Sequence, residues 1–440
     1  FFQHLEKQVS GSPQLPRWVG ELYLEFHRGV YTSMARNKKE NRKGELTLSA
    51  AETLRSITSI FCGQPYPQEE LDTCWEILLR NQFHDILPGS AIREVYEDSD
   101  LEYAVLAEKT DAICMEALEC LAAQVTLPEG GLLVYNPSGV EGSFLCSSVL
   151  PQNTCLRTRD RRIPVQMTES GRAVWIAELP AKGYASFALD EMEEQSEPCA
   201  QYTSGEEGCR FENDFFALEM DVAGRFTQVY DKHAGRTILR PGEKGNRLIC
   251  YEDIPCRYDC WNIDHFYDEK SWEIEDTQEQ TLVENGPVRS VLRLRRRWLD
   301  STITEDIILY RDIARIDMHY EIDWKQHQML LKSLFPLDLH TSEASYEVQF
   351  GNVTRPTHQN TSWDQARFEV WTHKWMDLSE DGYGVSFLND CKYGVSVQGT
   401  TVGLTMIKSG VFPNEMADQE HHSFTFSMYP HTDGWRQGHT

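Results

Sequence analysis

Residues 315–324 read RIDMHYEIDW, an alternation that decides the fold class of the larger part of this chain. Apolar side chains stand at every second position, namely Ile316, Met318, Tyr320, Ile322 and Trp324. Successive side chains of a strand point to opposite faces, so this period of two predicts a strand with one buried face. Short runs of similar character, separated by turn residues, continue from Phe211 to the end of the chain. Many such strands predict a large antiparallel β-sandwich.

The first part of the chain has helical periodicity instead. Apolar residues recur at helical spacing from 46 to 61, and again from 69 towards 84. Pro88-Gly89 interrupts the second pattern, and Ser90 is a suitable N-cap for a third helix. Three such segments joined by short loops predict a bundle of the three-helix type.

The pattern changes from helix to strand at residues 127–131, which read LPEGG. Residues 132–135 are a predicted strand that ends at the Asn136-Pro137 turn. The acidic segment 190–208 is the predicted linker to the last part of the chain. These features divide the chain into a helical bundle at 1–127, a small β-sandwich domain at 128–200 and the large antiparallel β-sandwich at 201–440. The predicted fold class is therefore multidomain, α then all-β.

Charge and cysteine content restrict the partners and the compartment. The formal net charge is −27, with 69 acidic against 42 basic residues. A surface of this sign repels phosphate backbones and anionic lipid, so neither nucleic-acid nor membrane binding is expected. No apolar run approaches the length of a transmembrane helix. Twelve cysteines without a C-x-x-C pair predict reduced core cysteines in a cytosolic protein rather than a zinc ribbon.

Residues 81–90 read NQFHDILPGS and place a histidine beside an aspartate where an apolar helix is broken. The break at Pro88-Gly89 leaves the His84 imidazole and the Asp85 carboxylate together at a helix end. Taken alone, such a pair is typical of a cap or an ion pair, because helix ends favour polar groups.

Several stretches resemble glycoside hydrolase family 38, the α-mannosidases, in their cytosolic type. Residues 81–90 resemble the Gln-x-His-Asp segment of that family. In the order of the family, further similar stretches are WVGELYLE at 18–25, YDCWNID at 258–264, residues 350–380 almost continuously, and LNDCKYG at 388–394. Because these stretches cover nearly the whole chain in the right order, the chain is identified as a member of the family. The resemblance implies that the large sandwich is a supersandwich of the galactose-mutarotase type.

The resemblance implies a retaining, zinc-dependent enzyme that hydrolyses terminal non-reducing α-mannose. It makes His84 a zinc ligand and Asp85 a sugar contact. In the family, a His-x-Asp pair and a nucleophilic aspartate, which lie in a domain before the bundle, complete the zinc site. This chain begins in mid-pattern, so the nucleophile, the general acid and the other ligands of Zn²⁺ are expected upstream of Phe1. The chain alone is then expected neither to hold zinc tightly nor to cleave glycosides, since one histidine is a poor zinc site.

A His-x-Asp sequence does occur within the chain, at residues 431–433. Its place in the predicted sandwich is far from the family order. Short motifs match by chance often, and this one is interpreted as such a match.

Three groups of residues are candidate sugar contacts, each with a structural alternative. Arg28 and Tyr31 lie near the entry of the bundle, in a segment that resembles a substrate wall. The second group either lines the sugar pocket from the β side or supplies turn residues and a core anchor: Asp259, Trp261 and Asp264. The third is either a polar turn between two strands or a binding loop on a rigid sheet: Asn389, Asp390, Lys392 and Tyr393.

The favoured hypothesis is the helical and β-sandwich portion of an α-mannosidase, with a mannose-containing oligosaccharide as partner and a cytoplasmic location. The alternative is a non-catalytic carbohydrate-binding or scaffold protein built from the same domains. A β-sandwich enzyme of the mutarotase or lyase kind ranks last, because no ordered motif supports it. The oligomeric state stays open, a homo-oligomer included.

Overall fold

Helices dominate the first part of the chain in the computed structural model. The structure describes residues 1–127, 130–159, 161–191 and 197–437. Its α-helices are α1 Phe2–Val9, α2 Ala35–Cys62, α3 Gln68–Asn81, α4 Arg93–Gln124 and α5 Ser362–Ala366, and 3-10 turns lie at Gly29–Tyr31 and Tyr267–Glu269. Within these described ranges, no helix has the length and apolar character needed to cross a membrane.

Helices α2, α3 and α4 form the predicted bundle around an apolar core that includes Leu48, Leu71, Leu78 and Leu106. Helix α2 begins at Ala35 rather than near residue 46. The apolar pattern misses its first turns because they bury polar side chains, among them Asn37, Lys38, Asn41 and Arg42.

The start of α4 corrects the prediction for Ser90. The helix begins at Arg93, after Ile92, and no side chain caps it. The Ser90 hydroxyl instead donates to the carbonyl of Asp85 at 3.4 Å. Ser90 therefore closes the preceding turn rather than opening the next helix.

Two small sheets follow the bundle. Their strands are β1 Leu132–Tyr135, β2 Gly142–Ser148, β3 Thr154–Arg157, β4 Arg162–Ile163, β5 Gln166–Met167, β6 Ala173–Leu179 and β7 Tyr184–Glu191. They pair in the orders β1-β7-β3-β4 and β2-β6-β5, around a core that includes Leu156, Trp175 and Phe187. Strand β1, Leu132–Tyr135, lies where the sequence predicted it, before the Asn136-Pro137 turn.

The rest of the chain is a large antiparallel assembly of strands. They are β8 Gln201–Gly205, β9 Gly208–Glu212, β10 Phe216–Asp221, β11 Phe226–Asp231, β12 Arg236–Thr237, β13 Arg247–Glu252, β14 Ser271–Glu273, β15 Thr277–Asn285, β16 Arg289–Trp298, β17 Ser301–Tyr310, β18 Ile316–Asp323, β19 Met329–Pro336, β20 Glu343–Val348, β21 Gly351–Pro356, β22 Val370–Trp371, β23 Trp375–Glu380, β24 Tyr383–Asn389, β25 Gly394–Gln398, β26 Thr401–Ser409 and β27 His421–Thr432.

These strands form sheets of five, six and nine strands. Their orders are β12-β11-β10-β9-β8, β14-β13-β19-β26-β25-β22 and β15-β16-β17-β18-β27-β24-β23-β20-β21. Strand β8 lies within the acidic segment 190–208 that was predicted as a linker, and it pairs with β9 across the turn at Glu206-Glu207. Residues 192–196 of that segment lie outside the described residues.

The core of the sandwich lies between the sheets. Phe335 of β19, in the six-stranded sheet, contacts Phe387 of β24, in the nine-stranded sheet, with ring centroids 5.1 Å apart. Strand β18 alternates as predicted, and its Met318, Tyr320 and Ile322 are fully buried. The fold class, a helical bundle followed by antiparallel β-sandwich structure, is thus confirmed.

The bundle is anchored to the sandwich at the start of α2. The Asp418 carboxylate accepts hydrogen bonds from the backbone N–H groups of Met34 (2.6 Å) and Ala35 (2.8 Å). A carboxylate in this position satisfies free N–H groups of the first helical turn and interacts favourably with the helix dipole. Further along α2, the Arg42 guanidinium donates to the Tyr393 hydroxyl at 3.2 Å. These contacts set the position of the bundle relative to the sandwich.

Candidate functional site

The turn between α3 and α4, residues 82–90, carries the His84–Asp85 pair and is called the His-Asp turn below. The His84 Nε2 atom lies 3.3 Å from Asp85 Oδ2, and the two side chains are 76% and 49% exposed. The Phe83 ring packs against the imidazole, with ring centroids 4.2 Å apart. The pair therefore stands on an open face of the bundle and does not point into its interior.

A buried lysine of α2 holds the His-Asp turn from behind. Lys38 Nζ donates to the carbonyl oxygens of Ser33 (2.5 Å), Leu87 (2.9 Å) and Pro88 (3.2 Å). Burial lowers the pKa of the Lys38 ammonium to about 7, while the Asp418 carboxylate nearby opposes the shift. The amine is thus a donor that bridges the start of α2 and the far end of the turn.

Close packing at Gly89 holds the same turn. Its φ is +91°, and a Cβ built on it would lie 2.3 Å from the carbonyl oxygen of Ser33. Only glycine accepts both that conformation and that approach without strain. The break that the sequence shows at residues 88–89 is therefore a contact point between the turn and the segment just before α2.

A groove runs along the bundle beside the His-Asp turn, between α2 and the sandwich, and is called the bundle groove. Its volume is about 480 Å³, and it is lined by Val30, Tyr31, Lys38, Asn41, Glu45, Gln82, Leu87, Pro88, Gln349, Trp371, His373 and Tyr393. Gln82 of the turn is held in place, because its amide donates to Asn41 Oδ1 (3.0 Å) and Glu45 Oε1 (2.9 Å). Aromatic faces and polar tips both line this groove, a combination that suits a sugar ring with its hydroxyls.

Two of the predicted sugar contacts lie in the bundle groove. Tyr393 stacks on His373, with ring centroids 5.7 Å apart. Burial raises the pKa of the Tyr31 phenol, so its hydroxyl stays protonated at neutral pH and can donate a hydrogen bond. The sequence placed these two residues in different parts of the chain, and the fold brings them to one cavity.

Arg28 is buried and is not among the residues that line the groove. Its guanidinium donates to the Ala366 carbonyl at 2.9 and 3.1 Å and lies 4.4 Å from the centroid of the Phe368 ring. Through these contacts the Arg28 side chain holds the segment before α2 in position.

The group at 259–264 lies at the loop before β14, also outside the groove lining. Asp259 Oδ2 accepts from the N–H of Val411 at 2.6 Å, and Asp264 Oδ2 accepts from the N–H of Cys256 at 2.7 Å. Trp261 packs beside Phe412, with ring centroids 6.2 Å apart. These contacts fit the structural alternative for Trp261 and Asp264. Asp259 Oδ1 is buried without a hydrogen-bond partner among the described residues, and the sugar-contact role of all three residues stays a prediction.

The third group lies where the chain crosses from β24 in the nine-stranded sheet to β25 in the six-stranded sheet. Asn389 Oδ1 accepts from the N–H of Lys392 at 3.1 Å, and Asp390 Oδ1 accepts from the Cys391 thiol at 3.1 Å. Lys392 itself is only 4% exposed. An ordinary polar turn would leave this lysine in water, and the structure instead buries it against a second cavity.

The His-x-Asp sequence at 431–433 lies at the end of β27. His431 Nε2 is 2.8 Å from Asp377 Oδ2, and both side chains are 2% exposed. This pair belongs to the interior of the sandwich and does not approach the open face that carries His84.

Sequence reasoning missed the polar face of α2 that lines the groove. Lys38, Asn41 and Glu45 recur at helical spacing and all line it. Polar residues at helical spacing, just before the apolar pattern that begins at residue 46, were the signal that could have identified them.

The described residues supply only part of a metal site. His84 and Asp85 offer donor atoms of the kinds that zinc accepts, but a zinc site normally has three or four protein ligands. Within 1–127, 130–159, 161–191 and 197–437, no group of three or more His, Cys, Asp or Glu side chains is placed to hold a metal ion. His84 and Asp85 could therefore supply some of the ligands of a zinc ion, but the described residues do not supply a complete set.

Comparison with known proteins identifies the family. Residues 25–121 match the alpha mannosidase middle domain, and residues 211–416 match the C-terminal domain of glycosyl hydrolases family 38. The chain belongs to glycosyl hydrolase family 38. The middle-domain match of the family 38 chain contains α2, α3 and the His-Asp turn, and the C-terminal match contains the crossover at 389–394.

The relatives of this family 38 chain are longer than it is. It is 33% identical over 431 residues to "Alpha-mannosidase 2C1" of Homo sapiens, covering 96% of this chain and 39% of that protein. It is 32% identical over 470 residues to "Alpha-mannosidase G" of Dictyostelium discoideum, covering 98% of this chain and 42% of that protein. The chain thus spans about two fifths of the length of these relatives.

A solved structure shows the same fold. The crystal structure of an alpha-mannosidase from Enterococcus faecalis V583 superposes with a TM-score of 0.79 at 18% identity, covering 99% of this chain and 60% of that one. The likeness extends over the bundle and the sandwich together.

Proposed function

We propose that this chain is the helical and β-sandwich part of a retaining α-mannosidase that removes terminal non-reducing α-mannose with the help of zinc. The observation that carries the proposal is the exposed His84–Asp85 pair. It lies within the segment that matches the middle domain and beside a groove lined by aromatic and polar side chains.

In this proposal His84 supplies one zinc ligand through its imidazole. The described residues place no group of three donors to hold a metal ion, so this proposal needs zinc ligands beyond those residues. It assigns the nucleophile and the general acid to none of the described residues. When bound, the zinc supplies Lewis acidity towards sugar hydroxyls. A retaining mechanism requires two carboxyl groups about 5–5.5 Å apart across the scissile bond.

The chain's own residues bind and orient the sugar. The Asp85 carboxylate would accept hydrogen bonds from mannose hydroxyls. Tyr31 and Tyr393 offer hydroxyl groups, and Trp371 offers a ring face on which sugar C–H groups pack. Lys38 holds the turn in place behind them.

We propose a cytoplasmic location for the protein. All twelve cysteines are free thiols in the structure, and Cys74, Cys260 and Cys391 are buried. Unpaired buried thiols suit a reducing compartment. The strongly acidic surface does not hinder the approach of a neutral oligosaccharide.

The experiment that tests the proposal compares His84→Ala with His358→Ala in the full-length protein. His358 is a matched control, since it also faces a carboxylate, at 3.5 Å from Asp364, and is 43% exposed. Hydrolysis of an aryl α-mannoside should fall by three or more orders of magnitude in His84→Ala, because the metal loses a ligand, and stay unchanged in the control.

A non-catalytic carbohydrate-binding or scaffold protein is the second candidate, favoured by the incomplete donor set. That candidate predicts mannoside binding in the bundle groove and no zinc-dependent hydrolysis by the full-length protein. Normal turnover in the His84→Ala variant would contradict the role that we assign to the imidazole.

A further inference from the structure

Two cysteines lie at the end of the bundle that is remote from the His-Asp turn. Cys62 is the last residue of α2, and Cys120 lies one turn before the end of α4. At a rise of about 1.5 Å per residue, Cys62 stands about 36 Å along the helix from Lys38, which holds the His-Asp turn. Both cysteines are free thiols.

Helices α2 and α4 run side by side in the same direction, so their ends stand together. Near their starts, Asn37 Nδ2 donates to Ser99 Oγ at 2.7 Å. Towards their ends, Arg55 Nη1 lies 3.2 Å from Glu116 Oε2. Cys120 follows Glu116 by four residues and therefore lies one turn further along the same face of α4.

Arg55 also fixes the chain that follows Cys62. Its side chain is only 4% exposed, and its guanidinium donates to Gln64 Oε1 at 3.0 Å and to the Pro65 carbonyl at 3.1 Å. Because the same guanidinium pairs with Glu116, the turn after Cys62 is held against α4. Cys62 thus has a defined place beside that helix.

The two thiols interact directly. A hydrogen bond with the Cys62 thiol is the largest of the causes that raise the pKa of the Cys120 thiol, and the Arg55 guanidinium opposes the shift. Cys120 is therefore a protonated thiol at neutral pH. Two thiols that share a hydrogen bond stand close enough to react with each other once one of them is activated.

A small reagent can reach this end of the bundle. Both cysteines are partly exposed, and the neighbouring Ile60 and Phe61 side chains are 75% and 77% exposed. Gly63 follows Cys62, and nothing lies within 4 Å of a Cβ built on it. The pair is thus open to a small-molecule disulfide from solvent.

We propose that Cys62 and Cys120 form a reversible redox pair, a modification site that closes into a disulfide when oxidised glutathione is in excess. The thiolate of one cysteine attacks a sulfur of glutathione disulfide, which breaks that S–S bond and releases one reduced glutathione. The thiolate of the other cysteine then attacks the protein sulfur of this mixed disulfide and releases the second glutathione. Two cysteine thiols are oxidised, one glutathione disulfide is reduced, and the two protons pass to the released glutathione.

The disulfide ties the end of α2 to α4 and touches neither the His-Asp turn nor the lining of the bundle groove. It is thus independent of the proposed hydrolytic function. In the reducing compartment proposed above, the pair rests as two thiols and closes when the glutathione pool shifts towards its disulfide.

The test incubates the full-length protein with oxidised glutathione and maps its disulfides by mass spectrometry of proteolytic peptides. The expected result is a bond between Cys62 and Cys120 in most chains, which dithiothreitol reverses. Cys114→Ser is the matched control, because Cys114 is also a partly exposed thiol of α4, and it should form the bond as the unaltered protein does. Cys62→Ser and Cys120→Ser should carry at most a glutathione on the remaining thiol.

The thermal transition gives a second measurement. A disulfide restricts the unfolded chain, so oxidation should raise the transition of the bundle by about 2 °C or more in the unaltered protein and in Cys114→Ser, and not in Cys62→Ser. His84→Ala should form the bond normally, so failure of the zinc proposal and failure of this one give different results. Glutathione on both cysteines without a bond between them, a bond from either one to a third cysteine, or an equal thermal shift in Cys62→Ser would overturn the proposal.

Discussion

Replacing Lys38 by methionine should release the His-Asp turn while leaving the fold intact. The substitution keeps an unbranched side chain one atom shorter and removes the donor that reaches the carbonyls of Ser33, Leu87 and Pro88. Two of these three hydrogen bonds end on the turn itself. The turn is therefore the part of the molecule that loses most.

The size of the effect follows from the contacts. Below the Lys38 pKa of about 7 the side chain is a charged ammonium, and a hydrogen bond from a charged group contributes about 1.5 kcal/mol or more, so two of them stabilise the turn by about 3 kcal/mol. At about 1.36 kcal/mol for each factor of ten, local opening should become roughly 100-fold more frequent. Burying an ammonium is itself costly, which offsets part of the loss. The free energy of global unfolding should therefore fall by less than about 2 kcal/mol.

Hydrogen exchange measured by mass spectrometry reports the result directly. The amides of Ile86 and Gly89 form hydrogen bonds within the turn, at 2.9 and 3.0 Å, and should exchange faster in Lys38→Met. Lys43→Met is the matched control, because Lys43 lies on the same helix, is 61% exposed and pairs through its ammonium with Glu40 at 3.3 Å. Equal protection of residues 83–90 in both variants, with the bundle folded, would refute the claim that Lys38 holds the turn.

Two further predictions concern stability. Burial raises the pKa of the Glu420 carboxyl from 4.5 to about 7. Between these two pH values the folded protein keeps a proton that the unfolded chain has released, so the free energy of unfolding falls as pH rises from 4.5 to 7. The free energy of unfolding of Glu420→Gln should therefore exceed that of the unaltered chain by about 2 kcal/mol at pH 8 and equal it at pH 4. Urea titrations at each pH measure this, and a difference that does not change with pH would contradict the prediction. Gly89→Ala should lower the free energy of unfolding by about 2–4 kcal/mol, because its Cβ meets the Ser33 carbonyl at 2.3 Å. Gly139→Ala, with nothing within 4 Å of the added Cβ, should change it little, and similar values for the two variants would argue against the close contact.

The sequence predicted elements whose buried face is apolar and missed those whose buried face is polar. Strand β18 follows from its period because Met318, Tyr320 and Ile322 fill the core. The first turns of α2 could not be found in this way, because their buried side chains are polar. Lys38 and Arg42 donate hydrogen bonds to carbonyl groups that are distant in the sequence.

The same limit applies to the candidate site. Pro88-Gly89 predicted a break in the helical pattern, so the place of the His-Asp turn could be predicted, although α3 ends earlier than expected, at Asn81. The burial of Lys392 could not, because the turn that carries it joins two different sheets and packs against α2. Which of the candidate residues share a cavity depends on these contacts between distant parts of the chain.

The central claim is that the His84 imidazole binds zinc, and the metal content of the full-length protein tests it most directly. Purified protein, His84→Ala and His358→Ala should be dialysed against a weak chelator and their zinc measured by mass spectrometry. We predict one zinc per chain in the unaltered protein and in His358→Ala, and a loss of most of it in His84→Ala. Full zinc retention by a folded His84→Ala variant would contradict the account.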